Sequence, residues 1–156
     1  MKINLIAIST KMPNWINQGF AEYQKRLPRE FELNLIEISA EKRLKTSNLA
    51  NIASKEASKV LQYIKTSTHC VTLDENGKQH STKSFSQRLQ HWQQLGSDIA
   101  IIIGGPEGLA QECRQRANET ISLSALTFPH PLVRVILAEQ LYRAVSLLQN
   151  HPYHRE

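Results

Sequence analysis

Two glycines follow an apolar run in the segment from Gly104 to Gly108, which reads GGPEG. Glycine has no Cβ, so its backbone can approach a ligand closely or take a positive φ. The spacing fits neither the GxGxxG pattern of dinucleotide-binding proteins nor the GxxxxGK[ST] pattern of P-loops. The motif therefore predicts either a ligand-binding turn of another kind or a tight connection between a strand and a helix.

A second unusual segment runs from Ser122 to Pro131 and reads SLSALTFPHP. It is too apolar for a solvated loop, and its prolines exclude a continuous helix. The backbone of a packed irregular loop could bind the edge of an adenine while Leu126 and Phe128 flank the faces of the ring. The alternative is that both side chains belong to the hydrophobic core.

The third segment is the terminus from His151 to Glu156, which reads HPYHRE. Arginine binds phosphate with two hydrogen bonds, tyrosine stacks on a base, and histidine transfers a proton near neutral pH. These residue types predict a contact with a nucleotide, with Tyr153 packing against it. His154 or a water would accept a proton and Arg155 would contact phosphate or the base. The alternatives are that all three residues only bind RNA, or that the segment is a solvated end.

The rest of the chain alternates between short apolar runs and stretches with helical periodicity. Predicted strands cover Ile3 to Ile8, residues 31–38, His69 to Asp74, Asp98 to Ile103 and Ile121 to Ser124, with a turn at Gly77. Five helices are predicted. The first ends at Pro28 and shares one apolar face among Trp15, Ile16, Phe20, Tyr23 and Leu27, and the second covers residues 49–64. The third ends at Gly96 and shares a face among Phe85, Leu89, Trp92 and Leu95, the fourth ends near Glu119, and the fifth runs from Leu132 to Gln149.

This order predicts an α/β fold, with a mostly parallel sheet and helices on both faces. The strand from Asp98 to Ile103 is almost entirely apolar, as in a central strand covered on both sides. Ligands in such sheets bind at the carboxyl ends of the strands. The glycine motif follows such an end directly, so we expect a ligand site there.

Composition narrows the class of protein. The chain has 156 residues, which suits one domain, and a formal net charge of +5 with a pI near 9.4, which favours a polyanionic partner. The two cysteines, Cys70 and Cys113, have no metal-ligand spacing, so we expect two buried free thiols and no metal. No apolar run is long enough to cross a bilayer, and the first one lacks a cleavage pattern, so a soluble cytoplasmic protein without a membrane partner is expected.

Four stretches occur in the same order in one known family. They read TLD at 72–74, IIIGGPEGL at 101–109, SLSALTFPHPLVRVILAEQLYRA at 122–144 and NHPYHRE at 150–156. With KMPNW at 11–15 and EYQKRLP at 22–28, they resemble the ribosomal large-subunit pseudouridine-N3 methyltransferases of the SPOUT superfamily. The resemblance covers essentially the whole chain, although residues 44–68 carry little motif information.

The resemblance implies a single SPOUT domain over residues 1–156, with a trefoil knot in its carboxyl-terminal part and no added RNA-binding domain. It implies a homodimer that uses S-adenosylmethionine to methylate N3 of a pseudouridine in the 23S rRNA of assembled ribosomes. DNA is not expected as a partner. The cofactor contacts that it implies are Leu73, Gly104, Leu123, Ser124, Ala125, Leu126, Thr127 and Phe128.

Two other functions stay open at this point. A SPOUT methyltransferase that acts on tRNA would use the same cofactor pocket. A ribosome-associated RNA-binding protein without catalysis would need the basic surface but no cofactor. The final helix carries a broad apolar stripe, from Val135 to Leu148, that could serve both the core and a dimer interface.

Overall fold

The structure of the chain is a computed structural model that describes residues 1–154, with the backbone alone at His154. Strands and helices alternate along the whole chain, as the sequence predicts. The strands are β1 (Lys2–Ser9), β2 (Glu32–Ser39), β3 (His69–Gln79), β4 (Ile99–Ile103) and β5 (Glu119–Ser122). The helices are α1 (Asn14–Gln24), α2 (Leu49–Leu61), α3 (Thr82–Gln94), α4 (Gln111–Arg116) and α5 (His130–Leu148), followed by a 3₁₀ turn over Pro152–His154.

The five strands form one sheet in the order β2-β1-β4-β3-β5, and all four neighbouring pairs are parallel. Ser9 pairs with Ser39, and Ile103 pairs with both Ala7 and Leu73. The carboxyl ends of the strands therefore share one edge of the sheet. The predicted α/β fold with a parallel sheet is confirmed.

The helices lie on both faces of this sheet. Along β1, Leu5 belongs to a core that also contains Phe20 of α1, Trp92 of α3 and Leu141 of α5. The next residue, Ile6, belongs to the core on the opposite face. Side chains of successive strand residues point to opposite faces, so this apolar strand is buried on both sides. The second core is completed by side chains from α2 and α4, including Ala57, Val60 and Cys113.

Two helices have an N-cap residue whose side chain accepts hydrogen bonds from backbone amides of the first turn. Asn48 Oδ1 accepts hydrogen bonds from the amides of Ala50 and Asn51, at 3.0 and 3.3 Å. Ser81 Oγ accepts one from the amide of Ser84 at 3.1 Å. Such caps supply partners that the helix itself cannot provide, and so they set where α2 and α3 begin.

The predicted turn at Gly77 is wrong, because β3 continues through it to Gln79. The register of β3 against β5 shifts between Leu73 and Lys78, so the strand bulges there. Within the bulge, the carboxylate of Asp74 accepts a hydrogen bond from the amide of Asn76 at 3.0 Å. A Cβ on Gly77 would lie 2.5 Å from the backbone carbon of Ile121. The glycine therefore permits close packing of two strands.

The predicted helix end near Glu119 is also wrong: α4 ends at Arg116, and Glu119 begins β5. The amide of Asn118 donates to the carbonyl of Cys70 at 2.8 Å, and the side chain of Asn118 accepts from the amide of Cys70 at the same distance. These contacts to β3 turn the chain into the sheet before another helical turn can form. The last strand accordingly spans Glu119–Ser122, earlier than the predicted Ile121 to Ser124.

Other boundaries and burials differ at helix ends. Helix α1 ends at Gln24, before the predicted Leu27, and α5 begins two residues before the predicted Leu132. Trp15 and Leu95 were expected on buried faces, but they are 60% and 43% exposed. In the first turn of α1 it is the next residue, Ile16, that is buried, and Leu95 is the residue directly after α3.

Cys70 and Cys113 are buried free thiols, which confirms the prediction for them. Burial raises the pKa of the Cys113 thiol to about 11. The described residues contain no cluster of three or more acidic, histidine or cysteine side chains that could hold a metal ion. Within residues 1–154, no helix is both long enough and apolar enough to cross a membrane.

Candidate functional site

A cleft of about 600 Å³ opens at the carboxyl ends of β4 and β5, beside the bulge of β3. Its position agrees with the general location of ligand sites in parallel sheets. The cleft combines apolar side chains, backbone of the glycine motif and several charged groups. Its walls are Leu73, Asp74, Glu75, Ile103, Gly104, Gly105, Pro106, Glu107, Gly108, Leu109, Arg114, Ser122, Leu123, Ser124, Leu126, Thr127, Phe128, His130 and Val133.

The glycine motif forms a turn that folds back on itself. The amide of Gly108 donates to the carbonyl of Gly105 at 2.9 Å, and Gly108 has a φ of +84°. A Cβ on Gly104 would lie 2.7 Å from the backbone carbon of Gly108. Gly104 is thus required by the turn itself, while its backbone also borders the cleft. The tight connection predicted for the motif is confirmed, and its binding of a ligand stays a prediction.

Arg43 holds this turn from outside. Its Nε and Nη2 donate to the two carboxylate oxygens of Glu107 at 2.7 and 2.6 Å, and its Nη1 donates to the carbonyl of Glu41 at 2.9 Å. Nη1 also lies 3.1 Å from Oε1 of Glu56, whose side chain is only 4% exposed. The hydrogen bonds between Arg43 and Glu107 lower the pKa of the Glu107 carboxyl and raise the pKa of the Arg43 guanidinium. One guanidinium therefore connects the cleft wall to α2.

The predicted irregular loop after β5 is present as expected. Ser124 Oγ accepts the amide of Leu126 at 2.9 Å, and Ser122 Oγ donates to the carbonyl of Ser124 at 3.0 Å. The amides of Ala125, Thr127 and Phe128 donate no hydrogen bond to any described residue. Leu126 is 72% exposed although it borders the cleft, so it is not a core residue. The loop presents free backbone donors beside apolar side chains.

The residues for which the resemblance implies cofactor contacts come from three separate segments. The fold brings seven of the eight to the cleft wall; Ala125 lies within the loop but does not line the cleft. The seven are Leu73, Gly104, Leu123, Ser124, Leu126, Thr127 and Phe128. Parallel pairing explains this, since Leu73 and Ile103 are register partners at the sheet edge. Whether these residues bind a cofactor stays a prediction.

Two titratable residues of the cleft, Asp74 and His130, were not predicted as site residues. Asp74 accepts hydrogen bonds from Nη2 and Nε of Arg114 at 3.0 and 3.3 Å. The backbone amide of Asn76 and, with it, Arg114 hold the pKa of Asp74 below its ordinary value. The sequence signal was available, because Asp74 directly follows the apolar part of its strand.

His130 is the other unpredicted group, and it stands at the first residue of α5. Its Nε2 donates to the carbonyl of Ile8 at 3.0 Å, so the neutral ring carries its proton on that nitrogen. Burial lowers the pKa of His130, and Arg134 one turn later acts in the same direction. A neutral imidazole at physiological pH follows. Its sequence signal was the histidine between Pro129 and Pro131.

Arg134 is almost completely buried, with 1% exposure. Its Nη1 donates to Oε2 of Glu37 at 3.3 Å, and the same oxygen accepts from Ser9 Oγ at 3.1 Å. Nε and Nη2 of Arg134 have no hydrogen-bond partner among the described residues. The arginine therefore ties α5 to the carboxyl end of β2.

The described part of the carboxyl-terminal segment packs against α5. Tyr153 donates from its hydroxyl to Oε1 of Glu139 at 3.1 Å, its ring lies 4.6 Å from that of Tyr142, and the guanidinium of Arg143 lies 5.1 Å from the ring centre. Burial and the neighbouring Tyr23 and Glu139 raise the pKa of the phenol. Tyr153 is not among the residues that line the cleft. The side chain of His154 and all of Arg155 lie outside the described residues.

Comparisons with known proteins agree with this architecture. Residues 1–154 match the family model described as predicted SPOUT methyltransferase. Over the full length of both chains, the sequence is 55% identical to the ribosomal RNA large subunit methyltransferase H of Thioalkalivibrio sulfidiphilus and 50% identical to that of Hahella chejuensis. It is 50% identical to that of Methylococcus capsulatus, over 99% of this chain and all of the relative.

The chain therefore belongs to the SPOUT methyltransferase family. Membership of a methyltransferase family implies that the chain uses a methyl donor.

Proposed function

We propose that this chain transfers a methyl group from S-adenosylmethionine to N3 of a pseudouridine in 23S rRNA, acting on assembled ribosomes in the cytoplasm. The observation that carries the proposal is the cleft, where Leu73, Gly104 and the loop from Leu123 to Phe128 meet at the edge of the sheet. The full-length relatives, each named a ribosomal RNA large subunit methyltransferase, favour rRNA over tRNA.

The cleft suits a molecule with an adenosine and an amino-acid part. Apolar side chains such as Leu126 and Phe128 can cover the faces of a purine, and the free amides of Thr127 and Phe128 can bind its polar edge. Glu75, which has no ion pair among the described residues, places a carboxylate on the wall, and this favours a cationic ligand. When bound, S-adenosylmethionine would supply an electrophilic methyl group on a positively charged sulfur.

The residues of the chain would act mainly by positioning. Methyl transfer requires the attacking nitrogen to be in line with the methyl carbon, and fixed walls restrict both reactants to that geometry. The turn at Gly104 and the loop after β5 would bind the donor. We propose that Tyr153, His154 and Arg155 act on the nucleotide, with His154 or a water accepting the N3 proton. Tyr153 is anchored on Glu139, which sets where the last residues begin.

We further propose that residues 1–156 act as one domain, that the carboxyl-terminal part carries the trefoil knot implied by the resemblance, and that two copies form a homodimer. The apolar stripe of α5 supports the dimer only in part. Ala138, Leu141 and Val145 are buried within the chain, while Val135, Tyr142 and Leu148 are half-buried. The half-buried residues are the ones left to contact a second copy.

A transfer assay with tritium-labelled S-adenosylmethionine tests the function. Label should enter the 23S rRNA of intact ribosomes that lack the modification, and free tRNA should take up none. Label in tRNA alone would favour the tRNA methyltransferase. Binding of ribosomes without any binding of S-adenosylmethionine would instead identify a non-catalytic RNA-binding protein.

A further inference from the structure

The segments that follow β1 and β2 lie side by side at the same edge of the sheet as the cleft. Ser9 and Ser39 end the two strands as register partners, and the amide of Ala40 donates to the carbonyl of Ser9 at 3.2 Å. Lys11 follows two residues after β1 and borders a shallow pocket together with Ser39 and Ala40. In the sheet, β1 is the direct neighbour of β4, whose end forms the cleft.

The segment after β2 is held at a defined place relative to the cleft. Arg43 within it makes the two hydrogen bonds to Glu107 on the cleft wall. A local turn, in which the amide of Leu44 donates to Ser47 Oγ at 2.8 Å, orders the next residues. Lys42 and Lys45 flank these contacts, and both are exposed. Their amino groups are therefore carried by an anchored stretch of backbone beside the cleft.

These lysines keep their charge available. The carboxylates on the same segments already have cationic partners: Glu37 pairs with Arg134, Glu41 with Lys59, and Glu56 with Arg43. Among residues 1–154, no ion pair involves Lys11, Lys42 or Lys45. The surface thus attracts anions, because its acidic groups are neutralised and its lysines are not.

The segment that follows β1 also carries an exposed aromatic ring. Trp15 lies in the first turn of α1, four residues after Lys11, and it is 60% exposed. Trp92, the other tryptophan, is completely buried in the core. Leu44, between Lys42 and Lys45, is also exposed, at 70%. Amino groups with an exposed aromatic ring are the combination that binds a phosphate backbone with splayed bases.

We propose that Lys11, Trp15, Lys42 and Lys45, named here the basic edge, bind the RNA substrate beside the cleft. The lysines contact phosphates and Trp15 stacks on an unpaired base. The inference rests on the proposed function and adds to it the surface by which residues beside the cleft place the substrate. Charge complementarity selects RNA as the occupant over a second, equally basic copy of the chain.

The test compares two triple variants in equilibrium binding to intact ribosomes at several salt concentrations. One replaces Lys11, Lys42 and Lys45 by alanine. Each lost phosphate contact should lower the slope of log affinity against log salt by about 0.7 to 0.9, so the slope should fall by about two. Affinity at physiological salt should fall at least tenfold, while calorimetric affinity for S-adenosylmethionine stays unchanged.

The matched control replaces Lys2, Arg29 and Lys65, which are exposed and lie at the amino-terminal side of β1, β2 and β3. It removes the same charge from the opposite edge of the sheet. An equal loss of slope in both variants would show that net charge alone governs binding and would overturn the proposal. An unchanged salt slope in the variant of Lys11, Lys42 and Lys45 would also overturn the proposal. So would a change in the mass of that variant in light scattering, because the surface would then serve contact between copies of the chain.

Trp15 gives an independent test. Trp15→Ala should weaken ribosome binding about fivefold or more without changing the salt slope, and Trp15→Phe should restore most of the loss. Equal affinity in all three proteins would remove stacking from the proposal. If the wild-type chain transferred no label to ribosomes, the proposed function itself would fail. If the wild type were active and the variants bound normally, only the basic edge would be refuted.

Discussion

Replacing Arg43 by alanine tests whether charge holds the glycine turn in place. The substitution removes both hydrogen bonds to Glu107, the one to the carbonyl of Glu41 and the ion pair with Glu56. Glu56, only 3% exposed, would keep the hydrogen bond from the amide of Glu41 at 2.9 Å but would lose its cation. A buried carboxylate without a neutralising cation is the main source of the expected instability.

The size of the effect follows from burial. Removing one partner of a buried ion pair costs roughly 3 to 5 kcal/mol. The side chains of Arg43 and Glu107 are 25% and 37% exposed, so solvent screens part of the loss. We expect Arg43→Ala to lower the free energy of unfolding by about 2 to 3 kcal/mol. Glu107→Gln, which leaves Glu56 paired, should cost less than about 1 kcal/mol.

Urea unfolding monitored by circular dichroism measures these free energies, and a double variant separates pairing from packing. Arg43→Met combined with Glu56→Met removes both charges at similar volume and should recover most of the stability. Affinity for S-adenosylmethionine should fall in Arg43→Ala, because Glu107 and its turn line the cleft. A loss below about 0.5 kcal/mol for Arg43→Ala, or strictly additive effects in the double variant, would refute the reasoning.

Four further outcomes are expected. Gly77→Ala should destabilise the protein by about 2 kcal/mol or more in thermal unfolding, because its Cβ would meet the backbone of Ile121, whereas Gly96→Ala, with open space but a φ of +68°, should cost only about 1 kcal/mol. Gly104→Val should abolish calorimetric binding of S-adenosylmethionine, now because it disrupts the turn against Gly108; unchanged affinity would exclude the turn from the site. Light scattering at micromolar concentration should show twice the mass of 17.8 kDa, and a stable monomer would contradict the homodimer. His154→Ala should lower the single-turnover rate about a hundredfold at saturating ribosome, partly restored at higher pH; a normal rate would make the histidine a binding residue.

Periodicity predicted the fold well because a parallel sheet covered on both faces leaves a clear pattern. The strand from Ile99 to Ile103 is buried at every position, and its sequence is apolar throughout. Once five strands are parallel, their carboxyl ends share one edge, so residues as far apart as Leu73 and Gly104 meet there. Those parts of the site follow from chain order and strand length, which sequence patterns carry.

What the sequence did not reveal depends on contacts between distant segments. Glycine is compatible with a turn or with close packing, and only the position of Ile121 decides the role of Gly77. The pair between Arg43 and Glu107 joins residues 64 positions apart, and neither residue type predicts the other. Exposure of Trp15 depends on where α1 begins relative to the sheet, which periodicity alone does not determine.

The strand order accounts for how one sheet can carry both proposed binding surfaces. The basic edge follows β1 and β2. The cleft lies at the ends of β4 and β5 and at the bulge of β3, and the direct pairing of β1 with β4 joins the two surfaces. His130 at the start of α5 is bonded to the end of β1 while it borders the cleft, and Arg43 connects the segment after β2 to the glycine turn. Neither surface can shift without disturbing a hydrogen bond to the other. The positioning that methyl transfer requires would therefore come from the sheet itself.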